Sequence, residues 1–246
     1  MTFEDRRDAG QRLAQLIRNS SEWKAGEWYD SIVLGLPRGG VPVAYEVAHA
    51  LSLPLDVFVV RKLGVPGEEE LAMGALASGG TLVMNPSIVR RVGISKEEID
   101  EIVQREGQEI TRREKVYREG HAPVSVEGRA VILVDDGLAT GASMLAAVRA
   151  LRTRARQVMV AVPVGEADVC EEVHRETGKV LCVTMPHSLL AIGRFYRNFA
   201  QTPEEEVCTL LVKARSEEED RWGDAVASLK TSDAEVKLRT AACGGR

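Results

Sequence analysis

Residues 131–143, VILVDDGLATGAS, decide the fold. Four apolar residues, Val131 to Val134, run into the adjacent carboxylates Asp135 and Asp136. A loop of small residues follows, then Thr140-Gly141 and the start of a helix. The pattern predicts a strand–loop–helix unit with its acids at the carboxyl end of the strand, the end at which open α/β sheets bind ligands. The N-terminus of the following helix presents unpaired N–H groups and a partial positive charge, which suits a phosphate. Thr140 and Ser143 add hydroxyl donors, and the two carboxylates can accept hydrogen bonds from vicinal hydroxyls. Phosphate on one side and a diol on the other describe a ribose 5-phosphate. An ordinary buried strand before a capped helix leaves the paired acids unexplained, because burying charge without a partner is costly. A Walker B strand also ends in acids, but it requires G-x-x-x-x-G-K-[ST] elsewhere, which this chain lacks.

Upstream, SIVLGL (31–36) and LDVFVV (55–60) are continuous apolar runs separated by the helical pattern VPVAYEVAHAL (41–51). QVMVAVPV (157–164) and KVLCVTM (179–185) are two further runs, with a helix near 166–177 between them. Apolar strands alternating with helices imply a mainly parallel sheet flanked by helices. Residues 3–18 read as an amphipathic helix, with Phe3, Leu13, Leu16 and Ile17 on one face. Residues 61–80, rich in glycine and charge, read as a long mobile loop, and TLVM (81–84) as a short strand. Ser95 and Glu98 form a capping box that opens a long polar helix to about residue 118. PEEEVCTLLVKA (203–214) starts a helix with proline and acids in its first turn. The expected organisation is one domain over 1–215, with a flexible loop and helical excursion at 61–125 and a small hood from 1–30 and 186–200. A densely charged tail, 216–246, is expected to be loosely ordered with partial helix.

Bulk properties exclude several classes. The chain has 246 residues, 44% hydrophobic and 28% charged, with a net charge of -5. That balance describes a soluble globular protein and argues against a general nucleic-acid binder. No apolar run approaches the ~18 residues of a membrane span, and MTFEDRRDAG is polar rather than signal-like. Cys170, Cys182, Cys208 and Cys243 are scattered, without a C-x-x-C pair, and read as reduced thiols of a cytoplasmic protein.

At residues 131–143 the chain resembles the type I phosphoribosyltransferases. Their signature is an apolar strand, two acids, a short loop, then Thr-Gly and a small or hydroxyl residue. FEDRRDAG, LGLPRGGVPVAYEVA, VRKLGVPGEEELAMGA, VDDGLATGASM and VTMP…AIGRFYRNFAQTPEEEV also recur together in a bacterial subgroup described only by that membership. The resemblance covers about residues 3–213. It implies transfer of a 5-phosphoribosyl group from 5-phosphoribosyl 1-diphosphate (PRPP) to a nitrogenous acceptor, a nucleobase in the first instance, with release of diphosphate. It also implies nucleotide metabolism, Mg²⁺ shared with the substrate, and a homodimer. Gly137, Leu138, Ala139, Thr140, Gly141, Ala142 and Ser143 would hold the 5-phosphate. Asp135 and Asp136 would hold the ribose hydroxyls, and the metal only indirectly, through substrate or water.

Arg38-Gly39-Gly40, directly after the first strand, would grip the diphosphate through close backbone approach and a bidentate guanidinium. A simple strand-to-helix turn is the alternative there. Arg61 and Lys62, at the end of the next strand, would stabilise the departing diphosphate beneath a closing loop, or are a solvated strand end. Trp23, Trp28, Tyr29, Phe195, Tyr196 and Phe199 would stack on an acceptor or close the core. His49, His121, His174 and His187 form no ligand pattern. The Arg149, Arg152, Arg154, Arg156 series reads as a helix C-terminus, where cations complement the dipole, with an RNA-binding patch as the alternative; Arg112, Arg113, Lys115 and Arg118 read as one solvated face of the long helix.

Two positions depart from the members that use hypoxanthine or guanine: Ala139 stands where those carry an acid, and Ala142 where a lysine often follows the glycine. No general base is assigned. A non-catalytic PRPP- or nucleotide-binding regulator is the alternative, because fold does not fix function.

Overall fold

Continuous runs of Val, Ile and Leu can sit only in strands covered on both faces, and five such runs build the central sheet. The computed structural model describes residues 2–243, including their side chains except at residue 70 and residues 224–243. Helices α1 (Arg6–Asn19) and α2 (Ser21–Lys24) lead to β1 (Ser31–Gly35), α3 (Gly40–Leu51) and β2 (Leu55–Val57). The excursion follows as β3 (Val60–Val65), β4 (Glu68–Ala77), β5 (Thr81–Met84), α4 (Pro86–Val92) and α5 (Lys96–Tyr117). The chain returns as β6 (Ala130–Val134), α6 (Ala142–Leu151), β7 (Gln157–Val164), α7 (Ala167–Thr177) and β8 (Val180–Thr184). A short 3-10 helix (Ile192–Phe195) and α8 (Glu204–Cys243) complete it.

The parallel sheet has the order β2-β1-β6-β7-β8. Its residues alternate between two cores. Val33, Ile132, Val134, Met159 and Ala161 face α1, α3 and α8, where Leu13, Ile17, Val43, Val47 and Val207 are buried. Ile32, Leu34, Leu133, Val160 and Val162 face α6 and α7, against Met144, Val148 and Val173. The strand order reverses between β1 and β6, so the carboxyl ends of these two strands bound the switch-point crevice where such sheets bind ligands.

Residues 61–80 are not the irregular loop their composition suggested. They fold as the antiparallel pair β3–β4, which β5 extends to three strands. Leu63, Val65, Met73 and Leu76 are buried in the core that contains Ile102 and Ile110 of α5, which supplies the apolar contact a hairpin needs. The glycines serve close approach: a Cβ on Gly64 would lie 2.6 Å from the Glu69 carbonyl, and one on Gly74 2.6 Å from that of Val83. A register shift around Leu63–Val65 breaks the alternation that would have marked a strand.

Three further expectations change. Phe3 precedes α1 and bridges to Tyr196 as a strand residue. Arg118 is not on a solvated face: its Nε donates to Asp56 at 2.8 and 3.1 Å, its Nη2 donates to the Val57 carbonyl, and both partners are buried. Asp56 also accepts from Val124 N, so this pair fastens the end of the excursion to β2. Finally, the backbone over 204–243 is one helix, α8, where partial helix was expected beyond 216. Residues 244–246 of that stretch lie outside the described residues. Among the described residues no helix is long and apolar enough to cross a membrane. The three cysteines whose side chains are described, Cys170, Cys182 and Cys208, are free thiols.

Candidate active site

The strand pairing that sets β1 beside β6 brings the PRGG turn against the acid pair. Leu36 N donates to the Val134 carbonyl at 2.9 Å, and Gly40 N to that of Leu36 at 3.0 Å. A Cβ on Gly40 would lie 2.9 Å from Asp135 Oδ1, and one on Gly39 would overlap the Asp136 carboxylate. Only glycine fits at either place. The Pro37–Arg38 peptide is cis. Arg38 is half-buried; its carbonyl accepts from Val41 N at 3.2 Å, and its side chain has no hydrogen bond or ion pair among the described residues.

Asp135 and Asp136 leave the end of β6 together and differ in surroundings. Asp135 Oδ1 accepts from Asp136 N at 2.8 Å. Removal from water and the neighbouring Asp136 charge push the Asp135 carboxyl well above its ordinary range. Asp136 is also raised by removal from water, but less, because Arg6 opposes it. The Arg6 Nε donates to Asp136 Oδ2 at 2.8 Å. Two adjacent acids with one cation between them leave charge that a bound cation would offset. Among the described residues no group of three or more His, Cys, Asp or Glu side chains could hold a metal by itself. The donor set therefore fits a metal carried in part by substrate oxygens and water.

The loop after the acids is pinned at Leu138, whose N donates to the Val164 carbonyl at 2.8 Å and whose carbonyl accepts from Glu166 N at 3.0 Å. Gly141 then adopts φ +71, the left-handed turn that aims α6 at the crevice. Gly141 caps α6 without a side-chain hydrogen bond, and the first bond of the helix runs from Leu145 N to the Gly141 carbonyl. The N–H groups of Ala142, Ser143 and Met144 are thus left for a ligand. Thr140 and Ser143 are exposed beside them, and Ala139 is partly covered.

Arg61 and Lys62 are successive residues of β3, and both line a 550 Å³ cavity beside α5. Arg61 faces α5 and donates to Glu106 Oε2 at 2.8 Å. Burial pushes Glu106 up, but Arg61 and Arg105 outweigh it and hold the carboxyl below its ordinary range. Lys62 lines a 240 Å³ cavity with Ala142 and Ser143 of the α6 N-terminus. Of the two, Lys62 borders the phosphate cradle.

The aromatics also separate. Trp28 directly precedes β1, is fully buried, and lies under the ammonium of Lys179 at the start of β8. Trp23 packs on Tyr29 nearby. These three therefore close the amino end of the sheet, away from the acids, because a segment entering a parallel strand must sit opposite its carboxyl end. From the N-terminal segment Phe3 and Arg6 reach the crevice, with Ala9 buried in the same cluster as Phe3 and Tyr196. There Phe3, Tyr196 and Phe199 pack in series, with ring centroids 5.3 and 4.8 Å apart. Tyr196 Oη donates to the Asp136 carbonyl at 2.6 Å. Ile192 packs where a Cβ on Gly137 would stand. His187 is exposed.

Arg6 is the residue that sequence reasoning passed over. Its guanidinium lies 4.0 Å above the Phe199 ring, and its Nη1 donates to the Ala200 carbonyl at 2.7 Å. One arginine among thirty-two Lys and Arg residues carries no local mark. Its place inside FEDRRDAG was the available signal.

The phosphoribosyl transferase domain family matches residues 5–189. The chain belongs to that family. As a phosphoribosyl transferase domain it is similar to a Mycobacterium tuberculosis protein, named provisionally as a phosphoribosyl transferase in two strains, at 40% identity over 238 residues. The match takes in 96% of this chain and 52% of that protein, so the chain spans about half the length of the curated relatives it matches. The crystal structure of TT1426 from Thermus thermophilus is similar at 37% identity and a TM-score of 0.75, over 87% of this chain and 99% of that one. The fold is that of the type I phosphoribosyltransferases, as expected from residues 131–143.

Proposed function

We propose that the domain transfers the 5-phosphoribosyl group of PRPP to a nitrogenous acceptor, a nucleobase in the first instance, and releases diphosphate. The observation that carries this reading is the convergence of three parts on one crevice: the uncapped α6 N-terminus, the Asp135–Asp136 pair, and the glycine turn packed on those acids. In this reading residues 137–143 hold the 5-phosphate through backbone N–H groups and the Thr140 and Ser143 hydroxyls. Arg38 and the amides around Gly39 and Gly40 hold the diphosphate. Lys62 reaches it from β3.

The acceptor nitrogen attacks C1 of the ribose, and the bond from C1 to the diphosphate oxygen breaks with its electron pair leaving on diphosphate. Charge thus grows on the leaving oxygens as C1 becomes cation-like, so fixed donors already aimed at diphosphate lower the barrier. Exclusion of water protects C1 from hydrolysis. Asp135 and Asp136 would hold the ribose hydroxyls and meet Mg²⁺ only indirectly, through substrate oxygens or water; when bound, the metal would share the diphosphate charge. The expected setting is nucleotide metabolism in the cytoplasm, with the domain working as a homodimer.

A second reading, a PRPP or nucleotide sensor without turnover, draws on one observation: Arg61 is committed to Glu106 rather than to the crevice. Diphosphate release from PRPP and Mg²⁺, followed across nucleobases and small amines, separates the two. Acceptor-dependent release that disappears in Asp135→Asn/Asp136→Asn supports the transferase. Binding of PRPP without release for any acceptor supports the sensor.

A further inference from the structure

Two thiols lie side by side behind the loop that follows the acids. Cys170 on α7 is buried and Cys182 on β8 is half-buried, and both pack into the core on the α6–α7 side of the sheet. Gly165, directly after β7, stands beside both. A Cβ there would lie 2.5 Å from Cys170 Sγ and 3.6 Å from Cys182 Sγ, so a side chain would push Cys170 aside. The two thiols are hydrogen-bonded to each other, and Cys182 Sγ also lies 3.1 Å from the Thr184 carbonyl. Whichever thiol loses its proton first is held as the thiolate by the other's S–H. That hydrogen bond lowers Cys170 below the ordinary thiol range, and together with burial it holds Cys182 above it.

Gly165 is also where residues 137–143 are pinned. It bridges Leu138, whose Cβ lies 3.2 Å from the same Cβ position. Leu138 N donates to the Val164 carbonyl at 2.8 Å, Glu166 N to that of Leu138 at 3.0 Å, and Gly165 N to that of Thr184 at 3.2 Å. The Thr184 carbonyl is thus shared between Gly165 and Cys182. We propose that Cys170 and Cys182 are a modification site, which hydrogen peroxide closes into a reversible disulfide that loosens the loop at Leu138.

The Cys170 thiolate attacks one peroxide oxygen; the S–O bond forms and the O–O bond breaks, releasing the first water. The Cys182 sulfur then attacks the Cys170 sulfur; the S–S bond forms, the S–O bond breaks, and the oxygen leaves with the Cys182 proton as the second water. Two thiols are oxidised and one peroxide is reduced. A small oxidant is required because Cys170 is 4% exposed. In reducing surroundings the pair rests as thiols, and a bond formed there is transient. Closing it removes the Cys182 proton from the Thr184 carbonyl and draws α7 and β8 together across Gly165, so the Leu138 bridge shifts. Any effect on 5-phosphate binding rests on the phosphoribosyl reading; the site itself and the motion of Leu138 do not.

The test treats the reduced full chain with hydrogen peroxide and takes two readouts that need no PRPP. Denaturation, alkylation and peptide mapping should find Cys170 linked to Cys182 within one chain, with dithiothreitol restoring both thiols. Hydrogen exchange of the Leu138 and Glu166 amides should speed about tenfold in the oxidised protein and return to its starting rate on reduction. A Cys182→Ala variant, changed at the half-buried member, should show neither effect. The site is overturned if Cys170 and Cys182 stay open to alkylation at peroxide doses that oxidise Cys208, or if either links to another cysteine instead. The coupling to the loop is overturned if the disulfide forms and the two amides keep their rates. Failure of the protein to bind PRPP would sink the phosphoribosyl reading and leave both readouts standing.

Discussion

Gly40 rests directly on Asp135, with the site of a Cβ 2.9 Å from both the Cα and Oδ1 of the acid and 2.8 Å from the Val134 carbonyl. The Val134 carbonyl ends the β1–β6 ladder and accepts from Leu36 N, and Asp135 follows it directly, so the turn rather than the strand end must move if a methyl is added. Gly40→Ala is expected to cost about 1–3 kcal/mol in stability through overpacking. It should weaken PRPP binding far more than the stability loss suggests, by about a hundredfold. Denaturant titration and calorimetry on the folded variant check the two effects. Affinity close to wild type would show that the turn does not touch the diphosphate.

The pairing of Arg61 with Glu106 and the place of Lys62 beside the α6 N-terminus predict different defects. Lys62→Ala should lower the rate of diphosphate release by about a hundredfold, as removal of a donor to developing charge does. Arg61→Ala leaves the Glu106 carboxylate buried without its main partner and should destabilise by ~1–3 kcal/mol. Steady-state kinetics and thermal melts on both variants decide. A larger rate loss for Arg61→Ala would return that residue to the crevice.

Arg118 and Asp56 form a pair removed from water on both sides. Arg118→Met strands Asp56 and is expected to destabilise by about 3–5 kcal/mol. Replacing both partners with apolar residues should recover much of that loss. Denaturant titration of the single and double variants gives the comparison.

Strong acid should remove part of the stability of α5. Hydrogen bonds from Arg112 and Arg113 hold the Glu109 carboxyl down to about 2, from an ordinary 4.5. A carboxylate depressed by folding adds stability above its unfolded value, and that contribution is lost as pH falls from about 4.5 through about 2. Carboxyl NMR of Glu109 should show a midpoint near 2. In an Arg112→Gln/Arg113→Gln variant the midpoint should return toward 4.5. High salt should shrink the difference, since the three residues are partly exposed.

What could be read from the sequence followed from burial. β1, β6 and β7 are covered on both faces, so their composition alone announces them, and with them the parallel sheet and the acids at its edge. β3 and β4 are covered unevenly and interrupted by a bulge at Gly64, so glycine and charge dominated their reading. Trp28 and Tyr196 illustrate a second limit. Both are large aromatics outside the strands, but only the path of the chain places one at the amino end of the sheet and the other over Asp136. Arg118 shows a third, because a cation at the end of a polar helix looks solvated until Asp56, sixty-two positions away, is seen beside it.

β1 and β6 are hydrogen-bonded neighbours, although the entire excursion lies between them along the chain. The floor of the crevice is thus set by a ladder that does not include β3, β4, β5 or α5. Since the entropy of closing a loop grows only slowly with its length, residues can be added to or removed from that insertion at small thermodynamic cost. Relatives could therefore remodel what covers the donor while inheriting an unaltered floor, and a protease cut within the insertion should leave two fragments that co-purify.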